Sequence, residues 1–166
     1  MDFFRQSLLI KADNPDAFFN LGNAFAKLGN WDEAINDYRQ ALQITPDQAD
    51  ILNNLGFALT MKKQFSDAIT CFEAALKLNP GSPDTQNNLA TVYFMEQRFP
   101  EAAQHYREAI HLAPDNPQIY VNLGDSLVRL GQLADAVQNY QTALRLNPED
   151  ARTKAKLQAL SAQTSN

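Results

Sequence analysis

The sequence predicts an all-α protein built from tandem helix pairs, and three observations predict it. The first is a period. Pro46, Pro80, Pro114 and Pro148 lie 34 residues apart, and the same step carries Leu21, Leu55, Leu89 and Leu123. It also carries Ala34, Ala68, Ala102 and Ala136, then Ala41, Ala75, Ala109 and Ala143. An aromatic column (Tyr38, Phe72, Tyr106, Tyr140) and a small-residue column (Gly22, Gly56, Ala90, Gly124) keep the same register. Self-similarity at such a fixed step marks a repeat architecture. The second observation is that each period holds two stretches of helical spacing. Phe18, Leu21, Gly22 and Phe25 fall at i, i+3, i+4 and i+7; Trp31, Ala34, Ile35, Tyr38, Ala41 and Leu42 repeat the pattern one helix later. The third is composition: 166 residues that are 45% hydrophobic and 20% charged can bury a core and do not read as disordered.

Taken in order, residues 1–14 read as an N-terminal cap or the remnant of another second helix. Shifted by one period, Phe4 takes the aromatic column, with Phe3, Leu8 and Leu9 beside it to cover the first repeat or to meet another copy. Four repeats follow at 15–48, 49–82, 83–116 and 117–150. Pro15, Pro83 and Pro117 stand at the first helical position, where the missing N–H costs nothing, and Asn14, Ser82 and Asn116 precede them as N-caps. Gly29 and Gly131 break the pair in two repeats. Lys63 and Gln97 replace that glycine in the other two, so those turns are expected to close differently. Asp32, Glu33, Asp67, Glu101 and Asp135 open the second helices, where the helix dipole favours an acid. The proline column ends them, since proline lacks the N–H and clashes with the preceding turn. The small columns let two helices approach closely. Residues 151–166 read as a C-terminal capping helix and tail. Leu157 and Leu160 would face repeat four, Arg152, Lys154 and Lys156 water, and Gln163 to Asn166 would be disordered.

This pattern, a large residue, Leu-Gly, an aromatic, Ala, an aromatic, Ala and Pro at fixed places, resembles the tetratricopeptide repeat (TPR) family over residues 15–150. Departures are few: Gln86 replaces the large apolar residue of repeat three, Ala90 its glycine, and Leu59 and Leu127 stand where an aromatic is commoner. The resemblance implies a right-handed superhelix of antiparallel helix pairs, its first helices lining a concave groove. It also implies a scaffold for partner recognition.

Counting from the first residue of each repeat, position 6 is Asn20, Asn54, Asn88 and Asn122. Neighbouring helices pack about 8–10 Å apart, and an extended peptide advances about 3.3 Å per residue. Each amide would therefore meet a peptide backbone about every third residue, and it can serve the N–H and C=O of one peptide unit together. The row is similar to the asparagine ladder of the TPR domain of O-GlcNAc transferase, which implies binding of an extended peptide through its backbone. A second reading stands beside it: the amides hydrogen-bond the next helix. Phe19, Asn53, Asn87, Asn23, Phe57, Phe94 and Asp125 flank the row and would shape specificity. Phe19, Phe57, Phe94, Met61 and Met95 read equally as ligand pockets or as packing between repeats, and Lys27 and Arg129 as the groove's cations. Position 2 holds Asp16, Asp50, Asp84 and Gln118, acids that the helix dipole explains without a basic ligand.

Other chemistries are excluded or unsupported. Chaperone-binding TPRs clamp a carboxylate with Lys and Asn at positions 5 and 9, Asn at 6 of the next repeat and basic residues at 2 and 6 of the third. Phe19, Asn23, Asn54, Asp84 and Asn88 stand there in one register, and Asn53, Phe57, Asn88, Gln118 and Asn122 in the next, so the clamp's cations are missing. A net charge of −5 argues against nucleic acid and anionic membranes. No apolar run approaches the roughly 20 residues of a membrane helix and no signal peptide opens the chain, so a cytoplasmic location is expected. One cysteine, Cys71, leaves no internal disulfide. His105 and His111 share no helical face for a metal and read as solvated; Cys71 reads as an inert thiol. No catalytic motif is found, and no enzyme activity, metal or cofactor is expected. Self-assembly through the termini, or membership of a larger glycosyltransferase-like enzyme, are the alternatives to a peptide-binding scaffold.

Overall fold

The computed structural model describes residues 14–164. Among the described residues there are nine α-helices: α1 (Pro15–Lys27), α2 (Trp31–Ile44), α3 (Ala49–Met61), α4 (Phe65–Leu78), α5 (Pro83–Met95), α6 (Phe99–Leu112), α7 (Pro117–Arg129), α8 (Leu133–Leu146) and α9 (Ala151–Thr164). Odd-numbered helices up to α7, and even-numbered ones up to α8, begin 34 residues apart, the step of the sequence columns. The chain divides into two compact units, Met1–Pro80 and Gly81–Asn166. In the first, α1 packs on α2, α2 on α3 and α3 on α4; in the second, α5 packs on α6 and each helix on the next through α9.

The starts follow from local chemistry. Asn14 Oδ1 accepts from the Ala17 N–H at 3.1 Å, Ser82 Oγ from Thr85 at 3.3 Å and Asn116 Oδ1 from Gln118 at 3.1 Å. Each cap is followed by proline, and each satisfies an amide that the helix leaves unpaired. Asp150 does the same for α9, accepting from the N–H groups of Arg152 at 3.0 Å and Thr153 at 3.3 Å. The Thr153 hydroxyl and these N–H groups hold its carboxyl below the usual range.

The turns inside the pairs correct an expectation. Lys63 (φ 60°) and Gln97 (φ 61°) adopt the same left-handed conformation as Gly29 (φ 76°) and Gly131 (φ 73°). Their bonds match as well. Gly29 N donates to Ala26 O at 3.0 Å and Asn30 N to Phe25 O at 3.0 Å; Lys63 N donates to Thr60 O and Gln64 N to Leu59 O, both at 2.9 Å. All four turns thus close alike, and two side-chain-bearing residues accept a backbone that only glycine takes without strain. At the C-terminus the helix continues through Gln163 to Thr164, beyond the expected end. There the i→i−4 bonds simply continue. The expected cap or self-association surface of Phe3, Phe4, Leu8 and Leu9 lies outside the described residues.

The repeated columns form the core. Ala34, Ala68, Ala102 and Ala136 are completely buried, as are Tyr38, Phe72, Tyr106 and Tyr140 within 2%. The small column lies against the aromatic one. A methyl group added to Gly22 would sit 2.7 Å from the Tyr38 ring, and one on Gly124 2.5 Å from Tyr140. Gln86, the polar departure in repeat three, bonds the His105 ring at 2.8 Å, and His105 stacks on Tyr93 with centroids 5.4 Å apart. His105 is therefore half-buried rather than solvated, because its ring is held by the Gln86 amide and the Tyr93 face; His111 is exposed as expected. Leu160 is buried against the second unit's core and Leu157 half-buried.

Candidate functional site

The first helices carry the asparagine row, and the structure gives each member a different setting. Asn20 is exposed; Asn54, Asn88 and Asn122 are half-buried. In the first unit, Asn54 on α3 donates from Nδ2 to Asn23 Oδ1 on α1 at 2.9 Å, and the Tyr38 hydroxyl donates to that same oxygen at 2.8 Å. Asn53 Nδ2 donates to Asn54 Oδ1 at 3.3 Å. One chain of bonds thus joins Tyr38, Asn23, Asn54 and Asn53. In the second unit, Asn122 Nδ2 on α7 donates to Asn87 Oδ1 on α5 at 3.1 Å, and Gln118 Nε2 donates to Asn122 Oδ1 at 2.9 Å.

The partner changes for a physical reason. Position 9 of repeat three is Thr91, whose short hydroxyl already donates to the Asn87 carbonyl at 2.8 Å and meets the Tyr106 hydroxyl at 3.0 Å. Asn122 reaches Asn87 instead. An amide has two N–H donors and an acceptor oxygen with two lone pairs. Asn54 and Asn122 each use part of that capacity on a neighbour, which fixes the plane of the amide and leaves further capacity for another group.

Position 9 pairs with the aromatic column. Asn23 accepts from Tyr38, Thr91 meets Tyr106, and Asp125 Oδ1 accepts from Tyr140 at 2.6 Å. In repeat two the aromatic is Phe72, with no hydroxyl, and position 9 is Phe57. Burial pushes the Tyr38 and Tyr106 hydroxyls up to about 12, partly opposed by side-chain bonds from Asn54 and Thr91 respectively. Burial, with the Asp125 carboxylate in second place, raises Tyr140 further. From the sequence alone, Asn23 and Asp125 are expected to face a ligand. The structure also ties them to the core, and the Tyr-to-polar correspondence fifteen residues apart is the signal that was present.

Asp125 has a second partner. Lys156 on α9 donates to its Oδ1 at 2.6 Å and lies 5.8 Å from the Tyr140 ring centroid. Lys156, expected to point to water, turns inward because a carboxylate and an aromatic face lie within reach of its stem.

The flanking aromatics divide. Phe19 lies 6.2 Å from the Tyr38 ring and is half-buried. Phe57 meets Trp31 edge-on at 5.9 Å, and Phe94 meets Phe99 edge-on at 5.4 Å. Arg129 sits over Phe99 at 4.7 Å, a cation–π arrangement. Met61 and Met95 are exposed. A cleft of about 420 Å³ in the first unit is lined by Asn23, Ala26, Lys27, Trp31, Tyr38, Asn54 and Phe57. A smaller hollow of about 120 Å³ in the second lies among Thr91, Phe94, Tyr106, Asn122 and Asp125.

Cys71 is half-buried, and burial pushes its thiol up to about 11, with Asp67 adding to the shift and Arg39 opposing it. Among the described residues no group of three or more His, Cys, Asp or Glu is placed to hold a metal. Among them, too, no helix is long and apolar enough to cross a membrane.

The repeat geometry and the sequence columns define a class. A TPR repeat model matches residues 22–63, and tetratricopeptide repeat models match 62–117 and 93–160. The chain belongs to the tetratricopeptide repeat family. Among solved structures it is similar to MamA 41-end from Desulfovibrio magneticus RS-1, at 20% identity over 91% of this chain and 85% of that one, with a TM-score of 0.85. It is similar to YrrB, described as a TPR protein with an unusual peptide-binding site, at 19% identity over 98% and 84%, with a TM-score of 0.81. The first TPR of Spaghetti (RPAP3), bound to the HSP90 peptide SRMEEVD, follows at 23% identity over 71% and 94%, with a TM-score of 0.69. At these identities the likeness is one of fold. A comparison with curated protein sequences gave no match.

Proposed function

We propose that this chain is a non-catalytic interaction module that holds an extended peptide along the first helices of its units, reading mainly the peptide backbone. The observation that carries this reading is the bonding of Asn54 and Asn122. Each amide is oriented by a neighbour and half-buried, yet keeps donor and acceptor capacity. A pre-oriented amide loses less freedom when a peptide unit binds, so more of the bond's free energy appears as affinity. Asn20 and Asn88 occupy the same register position, as in the asparagine row of the O-GlcNAc transferase resemblance. Phe19, Asn23, Asn53, Phe57, Asn87, Phe94 and Asp125 surround these amides in sequence and would select side chains.

Two fold relatives are described with peptides, one of them the acidic peptide SRMEEVD. The positions that a carboxylate clamp uses hold Phe19, Asn23, Asn54, Asp84 and Asn88 here, without its cations. A free acidic C-terminus is therefore not the segment proposed.

The test is selection of binders from a displayed library of random peptides, followed by affinity measurements on Asn→Ala variants. Each of Asn20→Ala, Asn54→Ala, Asn88→Ala and Asn122→Ala is expected to weaken the selected peptide by about 0.5–1.5 kcal/mol. Wild-type affinity in the folded quadruple variant overturns the reading.

A further inference from the structure

The cleft of the first unit has features that reading a peptide backbone does not use. Trp31 at the start of α2 and Phe57 on α3 form its apolar walls, meeting edge to face at 5.9 Å. Phe57 nevertheless keeps 43% of its surface exposed, although it lies inside a helix. Lys27, in the last turn of α1, lines the same cleft, and among the described residues no hydrogen bond or ion pair engages its ammonium. Lys62, by contrast, is taken by Asp32 at 2.9 Å. In a chain of net charge −5, Lys27 stands, among the described residues, without an acid partner and beside the exposed Phe57 ring. Asn23 and Asn54 supply the cleft's fixed amides.

We infer that this cleft is a specificity pocket for a bulky apolar side chain of an extended peptide, with an acidic side chain two residues away meeting Lys27. The inference rests on the peptide-binding reading above and deepens it. The spacing follows from strand geometry: alternate side chains of an extended chain point to the same face, so the residue that shares the pocket's side is the second neighbour, not the first. The apolar group covers Phe57 and Trp31, the carboxylate answers Lys27, and the intervening peptide unit lies over the Asn23–Asn54 pair. An uncharged or basic second neighbour would leave the ammonium uncompensated or repelled.

The experiment uses the full chain and a displayed library of random peptides carried as internal segments, so that no free C-terminus is presented. Selections run on wild type, Lys27→Glu and Phe57→Ala, each first shown to be helical by circular dichroism. Wild type is expected to enrich large apolar residues with Asp or Glu two positions away. Lys27→Glu should keep the apolar preference and exchange the acid for Lys or Arg, with about a two- to fivefold loss for the original peptide. Phe57→Ala should weaken that peptide about tenfold. Trp31 is the chain's single tryptophan, so a synthetic copy of the selected peptide should shift its emission on saturation. Selected peptides that leave Trp31 emission unchanged, or a Lys27→Glu selection with the wild-type charge preference, overturn the pocket. If such peptides still lose affinity in Asn54→Ala, the backbone-reading role stands without the pocket. If the folded wild type selects no peptide at all, both fall.

Discussion

Tyr38, Tyr106 and Tyr140 each bring a hydroxyl to a side chain fifteen residues earlier, on Asn23, Thr91 and Asp125. A buried phenol without such a partner would leave an unsatisfied polar group, so position 9 answers the aromatic column repeat by repeat. The same residue-by-residue logic applies to the turns. Lys63 and Gln97 hold φ near 60° without being glycine. Lys63→Gly and Gln97→Gly are each expected to stabilise the chain by about 0.5–1 kcal/mol, relief of left-handed strain exceeding glycine's extra unfolded-state entropy. Equilibrium urea denaturation checks this, and an unchanged or lower midpoint would refute the strain argument. In the core the direction reverses. Ala102 is fully buried, so Ala102→Leu should overpack its helix crossing and cost about 1–3 kcal/mol. For Cys71, a thiol raised to about 11 by burial should react slowly with an aromatic disulfide reagent at neutral pH in the native state and fast after denaturation.

At the scale of elements, α9 shows how a terminal helix is fixed. Its start is capped by Asp150, its Leu160 is buried, and its Lys156 reaches Asp125 on α7. Asp150→Ala should cost about 1 kcal/mol, the usual worth of an N-cap, and hydrogen exchange should quicken first in α9. The Lys156–Asp125 pair is about one-third exposed on both sides, so solvent screens it. A double-mutant cycle with Lys156→Met and Asp125→Asn is expected to give a coupling of about 0.2–1 kcal/mol that shrinks with added salt. The helix starts themselves follow from short sequence signals. Asn14, Ser82 and Asn116 cap helices that open with proline.

For the molecule as a whole, alkaline stability follows from its buried acids. Cys71 rises from about 9 to about 11, and Tyr38 and Tyr106 from about 10 to about 12. In each case the folded chain holds its proton at a pH where the unfolded chain has lost it. Their contribution is therefore complete below about pH 9 and falls as pH climbs, through 9–11 for the thiol and 10–12 for the phenols. Denaturation midpoints should be level from pH 7 to 9 and drop beyond, and Tyr106→Phe should blunt the drop above pH 10. Within each unit the helices pack mainly on their neighbours in sequence. Such local contacts predict folding on a microsecond-to-millisecond scale, measurable by rapid mixing.

The repeat period, the helix pairs, the caps at Asn14, Ser82 and Asn116 and the buried alanine and aromatic columns were all legible in the sequence. Each is set by local propensity or by a pattern that recurs four times, so chance is averaged out. The pairing of position 9 with the aromatic column was also written there, but only contact gives it meaning. What the tertiary structure alone decided are matters of reach between helices. These are the choice of Asn23 for Asn54 but Asn87 for Asn122, the inward turn of Lys156 and the closure of the Lys63 and Gln97 turns by the glycine geometry. The bond between Gln86 and His105 belongs with them. Each depends on distances and on competition for the same donors and acceptors, quantities that a one-dimensional pattern does not contain.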